Sequence, residues 1–298
     1  MAYTNGTCAD GYELQTKIKD YLTTHSWTNL KDTGAGPSRE MLFQNPDASV
    51  CIGFQSILNS GIASTQNYFN LLLNIFDSYN ASLTFYNQAG SVINTSTAAP
   101  APMLVTSFEP LKYWFILNER RLIIVTYAEQ TYCIAYLGKF IPHGSPEQYP
   151  KPFFLGGTGL VATTSMKNTS PNFRNFFEPD HNSNRSNFML QVKDHTNTWN
   201  VGRWRAAAFY TVIYPTPYTF YWYDVENKII KAHPAQVING EYTLGILDGF
   251  YATERFGLSA ESTVVIKNEL GVDETYIAFP NTNASNSNYK TYYLIKLL

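Results

Sequence analysis

The chain has 298 residues, a formal net charge of −2 and a sequence pI near 6.2, a length that fits one large domain or two ordinary ones and buries a core without disulfide or metal staples. Only 15% of residues are charged, against about 25% in an average globular chain, so no overall field gathers nucleic acid phosphates or an anionic membrane and neither is expected as a partner. The surface is covered instead by Asn, Ser and Thr together with 22 Tyr and 19 Phe, which suits pleated sheets and protein contacts.

No basic stretch leading into an apolar one opens the chain, and no apolar run approaches the ~18 residues of a membrane helix, so the product is expected to be cytosolic when made. Tyr12, Leu14, Ile18, Tyr21 and Leu22 recur at helical spacing behind Asp10, a good N-cap residue, and predict one amphipathic helix from about Asp10 to His25. Ser26 to Leu30 alternates and begins a strand, followed by a glycine-rich loop over 33–38. Short strands are predicted at Met41 to Phe43, Val50 to Phe54 and Tyr68 to Phe76, and a long exposed loop from Asn87 to Pro102.

The clearest local signal is Lys112 to Leu117, the polar turn Asn118-Glu119-Arg120, and Arg121 to Tyr127: two apolar runs around a short turn, as a hairpin requires. Tyr132 to Leu137 adds a third strand to an antiparallel meander. The proline-rich stretch from Ile141 to Pro152 is expected to run extended over the sheet. Strands are predicted further on at Ala208 to Tyr214, Tyr218 to Tyr223, Tyr242 to Tyr251, Ser262 to Lys267, Thr275 to Phe279 and Tyr289 to Leu297. The fold class is therefore mainly β (α+β), with an N-terminal amphipathic helix packed on antiparallel sheets and sandwich-like halves. The halves are drawn as 1–166, helix plus antiparallel β domain, and 167–298, a C-terminal β-rich domain.

Residues with chemical potential lack the spacing that chemistry needs. Cys8, Cys51 and Cys133 are far apart, in no CxxC pair, and are expected to be buried free thiols. None of His25, His143, His181, His195 and His233 sits in a ligand spacing, and the pairs Asp180-His181 and Asp194-His195 are sequence neighbours rather than members of a triad. Gly156-Gly157-Thr158-Gly159 lacks the Gly-Lys-Ser/Thr of a phosphate loop and reads as a glycine turn. No metal, cofactor or catalytic residue is expected. The carboxylates Asp224, Glu226, Glu241 and Asp248 keep open a glycan hydrolase, whose two acids are set by distance in space. A dense aromatic set, Tyr218, Phe220, Tyr221, Trp222 and Tyr223, joined by Tyr289 and Tyr292, is the candidate interface.

Three groups of segments carry a resemblance. They are Met1-Ala2-Tyr3-Thr4-Asn5-Gly6-Thr7 with Ser26-Trp27-Thr28; Tyr113 to Val125 continuing through Ala135 to Pro142 and Gln148 to Pro152; and Leu247 to Thr253 with Phe256 to Glu261. Together they resemble a family of virion structural proteins of contractile-tailed bacteriophages and related prophages, while residues from about Lys167 to Lys231 match little. The resemblance implies a non-enzymatic particle component, a multi-copy ring at the collar or neck of the head–tail junction. It further implies partners among copies of itself and other phage neck and tail proteins, and a place in the virion after assembly in the host cytoplasm. A tail or baseplate component that binds host-surface polysaccharide is the alternative. Strands near the Asn87 to Pro102 loop and the Lys290 to Leu298 run are expected to extend a neighbour's sheet.

Overall fold

The computed structural model describes residues 1–58, 68–92, 102–128, 131–160, 173–176, 190–201, 207–208, 232–239, 242–254, 258–268, 270–280 and 291–297. The chain opens with strand β1 (Ala2–Cys8) and helix α1 (Gly11–Thr24). There follow β2 (Thr28–Thr33), a 3-10 turn at Gly36–Ser38, β3 (Glu40–Gln44), β4 (Cys51–Leu58), β5 (Tyr68–Phe76) and β6 (Met103–Ser107). The meander is β7 (Leu111–Leu117), β8 (Arg121–Ala128) and β9 (Thr131–Lys139), followed by β10 (Ile141–Pro142), β11 (Phe153–Gly156), β12 (Thr158–Leu160) and β13 (Phe173–Asn175). The remainder gives β14 (Leu190–Lys193), β15 (Trp199–Val201), β16 (Ala207–Ala208), β17 (His233–Asn239), β18 (Tyr242–Glu254), β19 (Thr263–Lys267), β20 (Asp273–Pro280) and β21 (Thr291–Lys296).

Among the described residues these strands form three antiparallel sheets. The N-terminal sheet runs β13-β12-β6-β5-β4-β3-β2, the central sheet β1-β7-β8-β9-β11-β14-β15, and the C-terminal sheet β16-β17-β18-β21-β20-β19, with β10 on β18. The central sheet is the middle layer. Leu122 and Ile124 of β8 share a core with Phe43, Leu73 and Ile75 of the N-terminal sheet and with Leu14 and Ile18 of the helix. Their neighbours Ile123 and Val125 share the other core with Phe250, Ile277, Phe279 and Ile295 of the C-terminal sheet. A strand covered on both faces gains nothing from polar alternation, which explains why this part of the sequence is an unbroken apolar run.

The helix matches its expected span. The Asp10 carboxylate accepts from the backbone N–H of Tyr12 and Glu13 at 2.9 and 2.8 Å, satisfying donors that the first helical turn leaves open. Its buried stripe, Leu14, Ile18, Tyr21 and Leu22, lies against the first core, and the Tyr21 hydroxyl donates to Phe115 O at 3.3 Å. The predicted sandwich halves are two sandwiches that share one sheet, because the two faces of the central sheet belong to different cores, and β14 and β15, from the second predicted half, join that same sheet. The boundary drawn between residues 166 and 167 lies outside the described residues.

Two local expectations are refined. The proline-rich stretch is extended only in part: Ile141 and Pro142 pair with Ile246 and Gly245, then Gln148 N and Tyr149 N both donate to Ser145 O in a tight turn. At Gly156-Gly157 the chain leaves the central sheet for the N-terminal one. Gly157 passes so close to Met103 that a Cβ would overlap its backbone oxygen, so the glycine turn serves a change of sheet.

Candidate functional site

The side chain that organises the contact between the central and C-terminal sheets is Arg121, the first residue of β8 after the polar turn and fully buried. Asn118 shapes that turn, its Oδ1 accepting from Arg120 N and Arg121 N at 2.8 and 2.9 Å. Arg121 then reaches away from water: Nε donates to Asp248 O at 2.8 Å, Nη1 to Ile116 O at 3.1 Å, and Nη2 lies 3.9 Å from Met1 Sδ. Burial lowers its pKa, with Tyr136 and Asp248 acting in the opposite direction. Around it, Asn118 Nδ2 donates to Asp248 Oδ2 at 2.9 Å, Asp248 N to the Tyr136 hydroxyl at 3.1 Å, the Tyr136 hydroxyl to Lys139 O at 2.8 Å, and Lys139 N to Arg120 O at 2.9 Å. Gly138 and Gly249 both stand where a Cβ would overlap Arg121. Segments far apart in sequence, Met1, 116–121, 136–139 and 248–249, therefore meet at one buried cation.

A second cluster ties the layers together at the outer end. Lys112 Nζ donates to Glu261 Oε1 and Oε2 at 3.2 and 3.1 Å, and the Tyr132 hydroxyl donates to Glu261 Oε1 at 2.8 Å. Burial and then the Glu261 carboxylate raise the Tyr132 pKa. Trp114, buried at 4% exposure, packs on Phe279 with ring centroids 5.1 Å apart. Here a cleft of about 300 Å³ opens to solvent, lined by Tyr3, Asn5, Gly6, Thr7, Lys112, Trp114 and Glu261. Its polar groups already serve one another: Lys112 holds Glu261, and Asn5 Nδ2 donates to the Tyr3 hydroxyl at 2.9 Å.

Of the interface candidates, Tyr218, Phe220, Tyr221, Trp222, Tyr223 and Tyr289 lie outside the described residues, and Tyr292 is buried at 5% exposure in β21 beside Tyr276, Ala278 and Leu294. Of the strands expected to extend a neighbour's sheet, the C-terminal one is interior. β21 lies between β18 and β20, with both backbone edges paired, and β5 lies between β4 and β6; β6 pairs with β5 along its length but with β12 only where Met103 meets Thr158. Among the described residues β1 is an end strand, and its small and polar residues give no apolar signal; its alternation of exposed Tyr3, Asn5 and Thr7 with covered neighbours was the available clue.

Asp248 serves Asn118, while Asp224, Glu226 and Glu241 lie outside the described residues. His25 closes the helix with Nδ1 2.8 Å from Tyr21 O, and the His195 ring packs 6.2 Å from that of Tyr149. All three cysteines are buried thiols. Among the described residues, no three His, Cys, Asp or Glu side chains converge as metal ligands, and no helix is long and apolar enough to cross a membrane. No protein-family model matches the chain, and no curated protein matches it as a relative.

Proposed function

We propose that this protein is a non-enzymatic structural subunit of a tailed-phage particle, a collar or neck component of the head–tail junction that assembles in several copies. The observation that carries this is where the resembling segments meet. Tyr113 to Val125, Ala135 to Pro142 and Leu247 to Thr253 come together around Arg121, Met1 approaches the same guanidinium, and Glu261 closes the outer end on Lys112 and Tyr132. In these places the shared residues join layers, which is what a rigid scaffold requires. Such a scaffold, with a charge-poor and Tyr-rich composition, suits a protein whose work is to be held by neighbours.

Native mass spectrometry of the purified protein, alone and mixed with the neck and tail proteins of its particle, tests the proposal. A closed multi-copy ring or a stoichiometric complex with neck proteins is expected. A monomer that ignores those proteins but binds host-surface polysaccharide overturns it in favour of a peripheral tail component.

A further inference from the structure

The last strand of a sheet offers unpaired N–H and C=O groups, and chains that remain single defend such an edge with charge, proline or a bulge. Three end strands have both flanks described: β1, β2 and β19. β2 is defended, its register slipping between Asn29 and Lys31 and its Lys31 and Asp32 held in ion pairs with Glu40 and Arg39. β1 pairs with β7 without a slip and contains neither charge nor proline. β19 pairs with β20 without a slip, and its one charge, Lys267, stands at its last position.

Hydrogen-bond parity identifies the open groups. Asn118 N donates to Arg121 O at 3.1 Å, so alternation along the antiparallel pair directs Lys112, Trp114 and Ile116 to β8, and Tyr113, Phe115 and Leu117 to β1. The β1 partners of the latter three are Gly6, Thr4 and Ala2, which leaves the backbone groups of Tyr3, Asn5 and Thr7 pointing away from the sheet. On β19, Ala278 N donates to Ser262 O and Asn268 N to Val272 O, both at 2.9 Å. The same parity leaves Thr263, Val265 and Lys267 open.

β1 lines the mouth between the central and C-terminal sheets, and Glu261, two residues before β19, closes it on Lys112. Asn5 shares a sheet face with Trp114, and Thr263 and Val265 share one with Ile277; these are the two inner faces. Yet Tyr3 is 36% and Val265 59% exposed, so each sheet runs out there uncovered.

We propose that β1 and β19 join this chain to a second copy by strand addition, β1 of each copy lying against β19 of the other. This rests on the structural-subunit reading only in requiring a chain that assembles. Lys112 and Glu261 are spent on each other, so the described lining of the mouth has no unpaired charge to offer a charged partner. Tyr3, Asn5, Thr7, Thr263 and Val265 are neutral, and most are strong strand formers, complementary to a strand like themselves. Each copy carries one open edge of each kind on the same side, so a single two-fold axis satisfies both at once.

Asn5→Pro and Val265→Pro test the proposal, since each removes an outward N–H and no bond to the chain's own neighbouring strand. By native mass spectrometry, wild-type protein should be a dimer or larger, and each variant should self-associate about tenfold or more weakly with an unchanged circular dichroism spectrum. In wild type, the amides of Tyr3, Asn5, Thr7, Thr263 and Val265 should gain hydrogen-exchange protection as concentration rises, a readout that needs no variant to fold. Folded variants that assemble like wild type, or assembled wild type with those amides unprotected, would overturn the edge assignment and leave the subunit proposal standing. A wild type that stays monomeric even with neck and tail proteins would overturn both. Protection that appears only when other proteins are added would overturn the second copy as partner.

Discussion

Gly249 holds its φ at +69° directly against Arg121, so close that a Cβ on residue 249 would overlap the guanidinium Nη2. A left-handed backbone costs alanine about 1 kcal/mol, and forcing a methyl into packed surroundings about 2 more. Gly249→Ala should therefore destabilise the fold by about 3 kcal/mol in urea unfolding. In an Arg121→Met background, where the overlapping atom is gone, the same change should cost only about 1 kcal/mol. The resulting coupling of about 2 kcal/mol is the quantity to measure; additive costs would show that the two residues do not meet.

Asp77 is the counter-charge for Lys193, whose side chain is 2% exposed and lies over the rings of Phe153 and Trp199. Lys151 shares the same carboxylate at 2.6 Å. Asp77→Ala leaves a buried ammonium unpaired and should cost about 3–5 kcal/mol at neutral pH. Burial already lowers the Lys193 pKa, with Asp77 opposing it, so the variant lowers it further below its unfolded value. The unfolded state then binds more protons, and stability rises with pH. The deficit of the variant should shrink between neutrality and about pH 10, as thermal melts at several pH values will show.

Asp32 is held well below the usual carboxylate range, at about 2, by its hydrogen bonds to Arg39 and, less strongly, Lys19. Its folded pKa is depressed, so the stabilisation is present above the unfolded value of about 4 and disappears as pH falls through 2. Asp32→Asn should lose about 2 kcal/mol at pH 7, a deficit that shrinks steeply as pH falls toward the folded pKa and vanishes below it. A stability difference that is flat across the acid range would show the pair to be inert.

Burial pushes the Cys51 thiol up to about 11 and the Cys8 thiol up to about 12, the latter helped by the nearby Glu13 carboxylate. A thiolate-selective reagent at pH 8 should find neither in the native protein and both on unfolding, at a rate that follows the unfolding rate. Rapid native labelling of Cys51 would mean that the β3–β4 pairing opens far more easily than its full burial implies.

What could be read from the sequence was local. The helix declared itself through period and Asp10, and the hairpin through two apolar runs about Asn118. The layering was hidden in the same runs: Ile123 and Ile124 are equally apolar, and nothing in the order of residues says that they serve different cores. Arg121 directly follows the charged residues Glu119 and Arg120 and reads as solvated, while its burial depends on Asp248, more than a hundred positions away. The C-terminal run reads as an edge because Tyr292 to Leu297 is strongly apolar and terminal. Its pairing with both β18 and β20 is a non-local choice. Tyr3, Asn5 and Thr7 stayed silent because an edge that awaits a partner need not be apolar.

The bond from Cys8 Sγ to Leu111 O spans 103 positions of chain, and all of β1 is in the same situation. A ribosome completes this strand long before the β7 that receives it, so β1 has no template until the meander exists. Its outer edge becomes a straight, ordered strand only as the sheet behind it closes. On the proposed strand addition, assembly through that edge would be timed by folding: an incomplete chain would have nothing aligned to offer, and the capacity to join a neighbour would arrive with the folded protein.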